Sequence, residues 1–458
     1  MRAERGYPLC TITPKAEASI LRGHPWVYDA EILSLDGAVV DVVSRKGRYL
    51  GTGFYSEHSK IRVRLLSRNT NDRFDEAFWR RKLQWAWEYR KSVMSPEDLD
   101  ACRIIFGEAD AFPGLTVDKF HDLLSVQVLS VGMERIQNLL LPALVELLRS
   151  DGQNIRGVYL RNDVALREKE GLPQSKGWFP LPGEASPDSA VTEITENGVR
   201  YLVDVENGQK TGFFLDQKYN RLAIQRLCKD KKVLDCFTHT GYFALNAARG
   251  GAKRVTAVDV SESAVEMARA NAVRNGLDAV MTCTAVNVFD LLPQLERESS
   301  PYDLIILDPP AFTKSRKTVD QATENAVLNG LSDRVSFLCA DVFDLLPKLE
   351  KDGERYDVVI LDPPAFTKSR RTVANAISGY KEINYRAMRL LPRGGLLATC
   401  SCSHFATEER FTAMLREAAR DAGVQLRQIE ARQQSCDHPI LWGVPETSYL
   451  KFYLFQVV

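Results

Sequence analysis

The stretch Leu307-Asp308-Pro309-Pro310-Ala311-Phe312-Thr313-Lys314-Ser315-Arg316 follows the mainly apolar run Tyr302 to Ile306. A run of that kind and length reads as a buried strand. Ending it in Asp-Pro-Pro sets a carboxylate at the strand's C-terminal edge. The two prolines then hold the backbone extended and remove two amide donors. In open α/β sheets ligands bind at that edge, so the stretch reads as an active-site lip. The same ten residues recur as Leu361 to Arg370, again behind a strand-like run, Tyr356 to Ile360.

The recurrence extends beyond the lip. Residues 266–319 align without a gap to 320–373, at an offset of 54, and 30 of the 54 positions are identical. Asn271-Ala272-Val273 returns as Asn325-Ala326-Val327, and Val288 to Pro293 returns as Val342 to Pro347. This is one helix-strand-helix-strand unit duplicated in tandem, with too few copies for a solenoid.

Upstream, from Lys232, strand and helix alternate. The strand Lys232 to Leu234 ends in Asp235-Cys236-Phe237-Thr238-His239-Thr240-Gly241, and the helix Tyr242 to Arg249 follows. A second strand, Arg254 to Val258, ends in Asp259, which lies 18 residues past Gly241. An acidic residue at that place suits a ribose diol. The first turn has one glycine and lacks the bare amides that a pyrophosphate needs. Threonines and His239 crowd it, which suits a smaller sulfonium ligand, S-adenosylmethionine, better than a dinucleotide. Before this unit, Phe213 and Phe214 stand between a Lys-Thr-Gly turn, starting at Lys210, and a helix start. They could cover a flat ligand, while Asp216 could equally cap the helix.

Downstream lies Gly394-Gly395-Leu396-Leu397-Ala398-Thr399-Cys400-Ser401-Cys402-Ser403-His404-Phe405. Strand alternation puts Cys400, Cys402 and His404 on one face. A fourth metal ligand at the usual spacing is missing, so no metal is expected. Plain core is one reading, since buried cysteine is common. A nucleophile is the other, since a thiolate at a strand's C-terminal edge beside a cofactor is well placed to react.

The first 190 residues read as two smaller domains. Residues 1–72 form a β-rich unit with strands at Val39 to Val43, Tyr49 to Tyr55 and Ile61 to Leu66. Alternation sends Arg62 and Arg64 to one face, either facing RNA or simply solvated. The turn Arg22 to Tyr28 offers cations and aromatics for phosphate contact and base stacking, or packs Trp26 into the small core. Residues 73–190 read as a central α+β domain. Its first helix, 74–93, places Phe78, Trp85 and Tyr89 toward one side. Residues 191–458 follow, opening with a hairpin that turns at Asn197-Gly198.

The totals limit the partners. The 458 residues carry 60 basic and 60 acidic side chains, so binding to nucleic acid must rest on local patches. No apolar run reaches the ~20 residues of a membrane span. Nine cysteines without framework spacing, and a start without an apolar export core, lead us to expect a reducing cytoplasm.

Together these residues resemble the bacterial PUA-domain-containing class I rRNA cytosine carbon-5 methyltransferases. The likeness runs through Arg22 to Tyr28, Gly107 to Asp118, Gln209 to Gln217, Val233 to Gly241, the Asp-Pro-Pro-Ala-Phe elements, Gly379 to Asn384 and Thr399 to Ser403. It implies an α/β chain: a PUA-like RNA-binding domain, a central α+β domain and a C-terminal Rossmann-like methyltransferase domain. It also implies S-adenosylmethionine as cofactor and large-subunit (23S) ribosomal RNA as partner. The family's cofactor contacts fall on Lys210, Phe213, Asp235, Thr238, Thr240, Gly241 and Asp259. They also include the residue after the third strand, Asp341 in the second copy or Asn287 in the first. The nucleophile falls on Cys402, with Cys400 as core, and the Asp-Pro-Pro carboxylate is Asp362 or Asp308. The implied chemistry is thiolate addition to carbon-6 of cytosine, methylation at carbon-5 and release.

Relatives have one such lip, and their sheet has room for one fourth strand beside the first. One copy must therefore widen the sheet, lie outside it, or pair with another chain as a homodimer. The second copy runs directly into the helix Gly379 to Leu391 and the Cys402 strand, so Asp341 and Asp362 are expected to complete the pocket. The alternatives are Asn287 with Asp308, or a hybrid of the two copies. Two other functions compete. One is a methyltransferase acting on a base nitrogen, which needs no cysteine. The other is an RNA-binding protein whose cofactor site the duplication has disabled.

Overall fold

A computed structural model describes residues 6–34, 38–236, 238–259, 261–285, 304–307, 350–351, 358–361, 372–403 and 405–458. The chain divides into two compact units. The first holds residues 1–196, 202–216 and 435–448; the second holds 197–201, 217–434 and 449–458.

The first unit begins with strands β1 (Leu9–Ile12), β2 (Trp26–Tyr28), β3 (Ile32–Ser34), β4 (Val39–Ser44), β5 (Tyr49–Tyr55) and β6 (Ile61–Ser67). They form one sheet in the order β2-β6-β5-β4-β1-β3. A second sheet follows from β7 (Ala101–Phe106), β8 (Leu115–Phe120), β9 (Leu123–Val128), β10 (Gly157–Asn162) and β11 (Ser175–Trp178). Helices α1 (Pro14–Leu21), α2 (Glu76–Val93) and α3 (Val131–Ser150) complete it. Phe54 and Leu66 of the first sheet share a core with Trp79, Leu83 and Trp87 of α2 and Val117 and Val126 of the second sheet. The expected boundary at 72/73 therefore falls within this unit.

Packing refines two expectations here. On α2 the buried stripe is Phe78, Trp79, Leu83, Ala86, Trp87 and Arg90, whereas Trp85 is 57% exposed. A run with aromatics at 78, 79, 85, 87 and 89 fits two helical faces, and packing chooses one. Arg90 follows its stripe inward because Asp110 takes both guanidinium nitrogens, at 2.5 and 2.8 Å. On β6, Arg62 and Arg64 are both ion-paired, Arg62 in a solvated pair and Arg64 in a largely buried one. Arg62 is held by Asp29 at 2.7 Å. Arg64 lies between Glu108 and Glu170 at 3.1 and 3.0 Å. The Trp26 indole N–H donates to the same Glu108 at 2.9 Å. Carboxylates from elsewhere in the chain, which strand alternation cannot foresee, neutralise these cations.

The hairpin β12 (Val191–Glu196) and β13 (Val199–Asp204) turns at Asn197 and Gly198, both at positive φ, as Asn-Gly predicts.

The second unit is built on β14 (Lys232–Cys236), β15 (Arg254–Asp259), β16 (Met281–Ala285), β17 (Leu304–Leu307), β18 (Val358–Leu361), β19 (Leu396–Ser401), β20 (Leu426–Arg432) and β21 (Lys451–Val457). The sheet order is β16-β15-β14-β17-β18-β19-β21-β20. All pairs from β16 to β19 are parallel, and β21 runs antiparallel to both its neighbours. Its helices are α4 (Lys218–Gln225), α5 (Tyr242–Arg249), α6 (Glu262–Arg274), α7 (Val373–Leu390) and α8 (Glu408–Ala422).

Both repeat copies contribute a strand to this sheet. β17, from the first copy, pairs with β14; β18, from the second, pairs with β17 and β19. Of the three outcomes open to a duplicated strand, the sheet has widened. β18 is not a loose addition, because Val359 and Leu361 share a core with Tyr380 and Ile383 of α7 and Phe411 of α8. The place beside β15 is taken by β16 of the first copy.

Candidate active site

The turn after β14 is braced from inside. Asp235, 1% exposed, accepts a bond from the Thr238 hydroxyl at 2.6 Å and one from the Ala244 amide at 2.9 Å. Burial pushes its carboxyl up to about 7, against the pull of those two donors. Asp235 and Thr238 therefore hold the first turn of α5 against the strand. Gly241 caps α5 at φ +89°, and a Cβ there would meet Ala268, Leu245 and Met281 at 3.1 to 3.3 Å. That backbone requires glycine.

Asp259 ends β15 and is half-buried. Its Oδ2 accepts the His239 amide at 2.8 Å and its Oδ1 accepts the Ser261 amide at 2.9 Å. Two backbone bonds fix the carboxylate and leave lone pairs for a diol. His239 sits at φ +51°, and burial holds its imidazole below the usual range while Asp259 opposes that shift. The Thr240 hydroxyl is buried with no hydrogen-bond partner among the described residues. This turn combines a fixed acidic acceptor, an unmatched hydroxyl and one glycine, and so fits a nucleoside carrying a sulfonium side chain.

Lys210 and Phe213 belong to the first unit. Lys210 adopts φ +53° and its ammonium lies 4.5 Å from the Phe214 ring centroid. Phe213 is 2% exposed, and Thr211 beside it donates to the buried Asp118 at 2.6 Å. The pair of phenylalanines thus divides into one core ring and one ring under a cation.

β19 ends at Ser401, so strand alternation stops one residue short of Cys402. Cys400 is 3% exposed, whereas Cys402 is partly accessible. His404 lies outside the described residues. Leu361 registers with Thr399 of β19, and Leu307 registers with Cys236 of β14. Asp362 therefore follows the strand bonded to the cysteine strand, and Asp308 follows the strand bonded to the first strand of the unit. Asp308, Asp362, Asn287 and Asp341 themselves lie outside the described residues. Among those described, no His, Cys, Asp or Glu cluster could hold a metal ion, and no helix is long and apolar enough to cross a membrane.

The reading of the residues missed Lys451. It lies opposite Ser401 on β21 and is 4% exposed. Its ammonium donates to the carbonyls of Ser403 at 2.7 Å and Tyr449 at 2.8 Å. The available signal was one lysine inside the apolar run Leu450 to Phe455.

A family model described as an S-adenosylmethionine-dependent methyltransferase matches residues 181–322 and again 314–456. The chain belongs to this family. The two matches overlap, and each contains one copy of the repeated unit. A second family model, the PUA-like domain, matches residues 10–68. The ribosomal RNA large subunit methyltransferase I of Klebsiella pneumoniae (strain 342) is 35% identical over 457 residues, 99% of each chain. The enzyme of the same name from Escherichia coli (strain K12) is 34% identical, covering 96% of this chain and 97% of its own. A solved protein from Streptococcus mutans shares the fold, with 21% identity, a TM-score of 0.69, and 98% of this chain and 100% of its own covered. The protein is an α/β methyltransferase with a PUA-like domain, and its cofactor is S-adenosylmethionine.

Proposed function

We propose that this enzyme methylates carbon-5 of a cytosine in large-subunit ribosomal RNA in the cytoplasm, through a covalent bond to Cys402. The observation that carries the reading is the contrast at the end of β19. Cys400 is sealed in the core, and Cys402, two residues on, is accessible at the C-terminal edge of the sheet. Relatives spanning 99% of the chain and named as large-subunit rRNA methyltransferases supply the substrate class.

The Cys402 thiolate adds to carbon-6 of the cytosine, which makes carbon-5 nucleophilic. The methyl group that carbon-5 accepts is supplied by S-adenosylmethionine. Loss of the carbon-5 proton and of the thiolate restores the ring. Asp362, the residue that follows β18 in the sequence, holds the base edge. Asp259, Thr240 and Gly241 seat the cofactor, and Asp235 and Thr238 brace that seat. Of the third-strand residues, Asn287 is favoured over Asp341, because β16 of the first copy is the strand paired with β15. The target base must leave its stack to reach this edge.

The test is to incubate the protein with unmethylated rRNA and labelled cofactor, then map methyl-cytosine by mass spectrometry. Cys402→Ala should lower the product by at least about a thousandfold. Full activity in that variant would exclude the covalent route and favour transfer to a base nitrogen.

A further inference from the structure

We propose that Lys451 is the positioning residue that holds Cys402 as a thiolate. The inference rests on the reading of Cys402 as the nucleophile.

Lys451 is a cation in an apolar strand, 4% exposed, and no carboxylate among the described residues lies within ion-pair distance of it. Its two bonds go to neutral carbonyls, those of Ser403 and Tyr449. Buried charge is normally paired, because removing an ammonium from water costs several kcal/mol. Two carbonyl acceptors offset part of that cost and leave the third N–H for another acceptor.

The place of the charge points to the acceptor. Lys451 registers with Ser401 across the β19–β21 pair, and its ammonium binds the carbonyl of Ser403. Cys402 is the residue between those two. The bonds therefore anchor the cation along the short segment that carries the thiol. Other groups facing it are few among the described residues. Glu408 at the start of α8 contributes negative charge, but one of its oxygens is engaged by the Tyr453 hydroxyl at 2.8 Å. Burial lowers the Lys451 ammonium to about 8, while Cys402 and then Glu408 pull it back up. A thiolate at 402 would supply the missing counter-charge, and the cation would in turn lower the thiol's pKa. Three of the five buried thiols among the described residues show the effect of burial. Cys10, Cys228 and Cys283 are pushed up to about 12 by burial, and of these only Cys228, near Lys231, and Cys283, near Arg269, have a cation opposing that shift.

The test measures the thiol directly. The full-length protein is alkylated with iodoacetamide across a pH series, and the Cys402 peptide is quantified by mass spectrometry. Wild-type Cys402 should reach half-maximal reactivity below the ordinary thiol value of about 8.5. Lys451→Met should move that midpoint up by about one unit, slowing alkylation near neutrality about tenfold. Lys451→Arg, which keeps the charge, should restore most of the rate. A wild-type midpoint at or above the ordinary value would overturn the proposal without any variant. So would Lys451→Met with the wild-type profile, or equal shifts in the Met and Arg variants. The reading of Cys402 as nucleophile fails separately, through methyl transfer by Cys402→Ala, and leaves this alkylation profile untouched.

Discussion

β17 and β18 come from copies whose lips are identical over ten residues, yet they have different neighbours. β17 lies against β14, the strand that leads into the cofactor turn; β18 lies against β19, the strand that leads to Cys402. In a sheet with one fourth strand, a single lip would touch both. Here cofactor side and nucleophile side are three strand steps apart instead of two, about 14 Å rather than about 10 Å at the usual inter-strand spacing. A motif's chemistry is thus assigned by its lateral neighbours, and identical sequence cannot assign it.

That comparison is sharpest in a pair of variants. Asp362→Ala should lower methyl transfer by about 10²- to 10⁴-fold and leave cofactor binding by calorimetry unchanged. Asp308→Ala, at the residue that follows β17, should chiefly weaken cofactor binding. The reverse pattern would move the base-holding role to the first copy.

Excising residues 320–373 should have a smaller effect in the opposite direction. The copies align without a gap, so the remaining unit still joins α6 to α7, and one lip would again adjoin both strands. Reacting groups must approach to roughly 3–3.5 Å, and displacements near 1 Å can cost about 100-fold. Bringing Cys402 one strand nearer the cofactor should raise kcat by about tenfold or more. An excised chain that folds but transfers methyl more slowly would show that the widened sheet is required.

A last effect, on stability and not on catalysis, is a pH-dependence on the cofactor side alone. Burial pushes the Asp235 carboxyl up to about 7 in the folded chain, against about 3.9 unfolded. A raised carboxyl favours the fold at low pH, and that contribution fades as pH rises from about 4 through about 7. Thermal unfolding of Asp235→Asn should therefore gain on the wild type by a few kcal/mol between about pH 5 and 8. Parallel curves would mean that Asp235 is ionised and fully compensated by Thr238 and Ala244.

Much of this protein follows from local sequence. The alternation after residue 232, the acidic end of β15, the lone glycine of the first turn and the tandem unit are each written in a few adjacent residues, because strand and helix periods and turn chemistry act over short spans. Alternation put Cys400 and Cys402 on one face, but the strand ends at Ser401, leaving Cys400 buried and Cys402 partly accessible. Tertiary structure decided the rest. It chose which face of α2 is buried, tied Arg62 and Arg64 to carboxylates far along the chain, turned Asp235 into a brace, and placed Lys451 beside the cysteine segment. It also put strands from both copies into one sheet in a fixed order. Those outcomes depend on partners tens to hundreds of residues away, and a strand's neighbours are set by the core it must share, which no local pattern encodes.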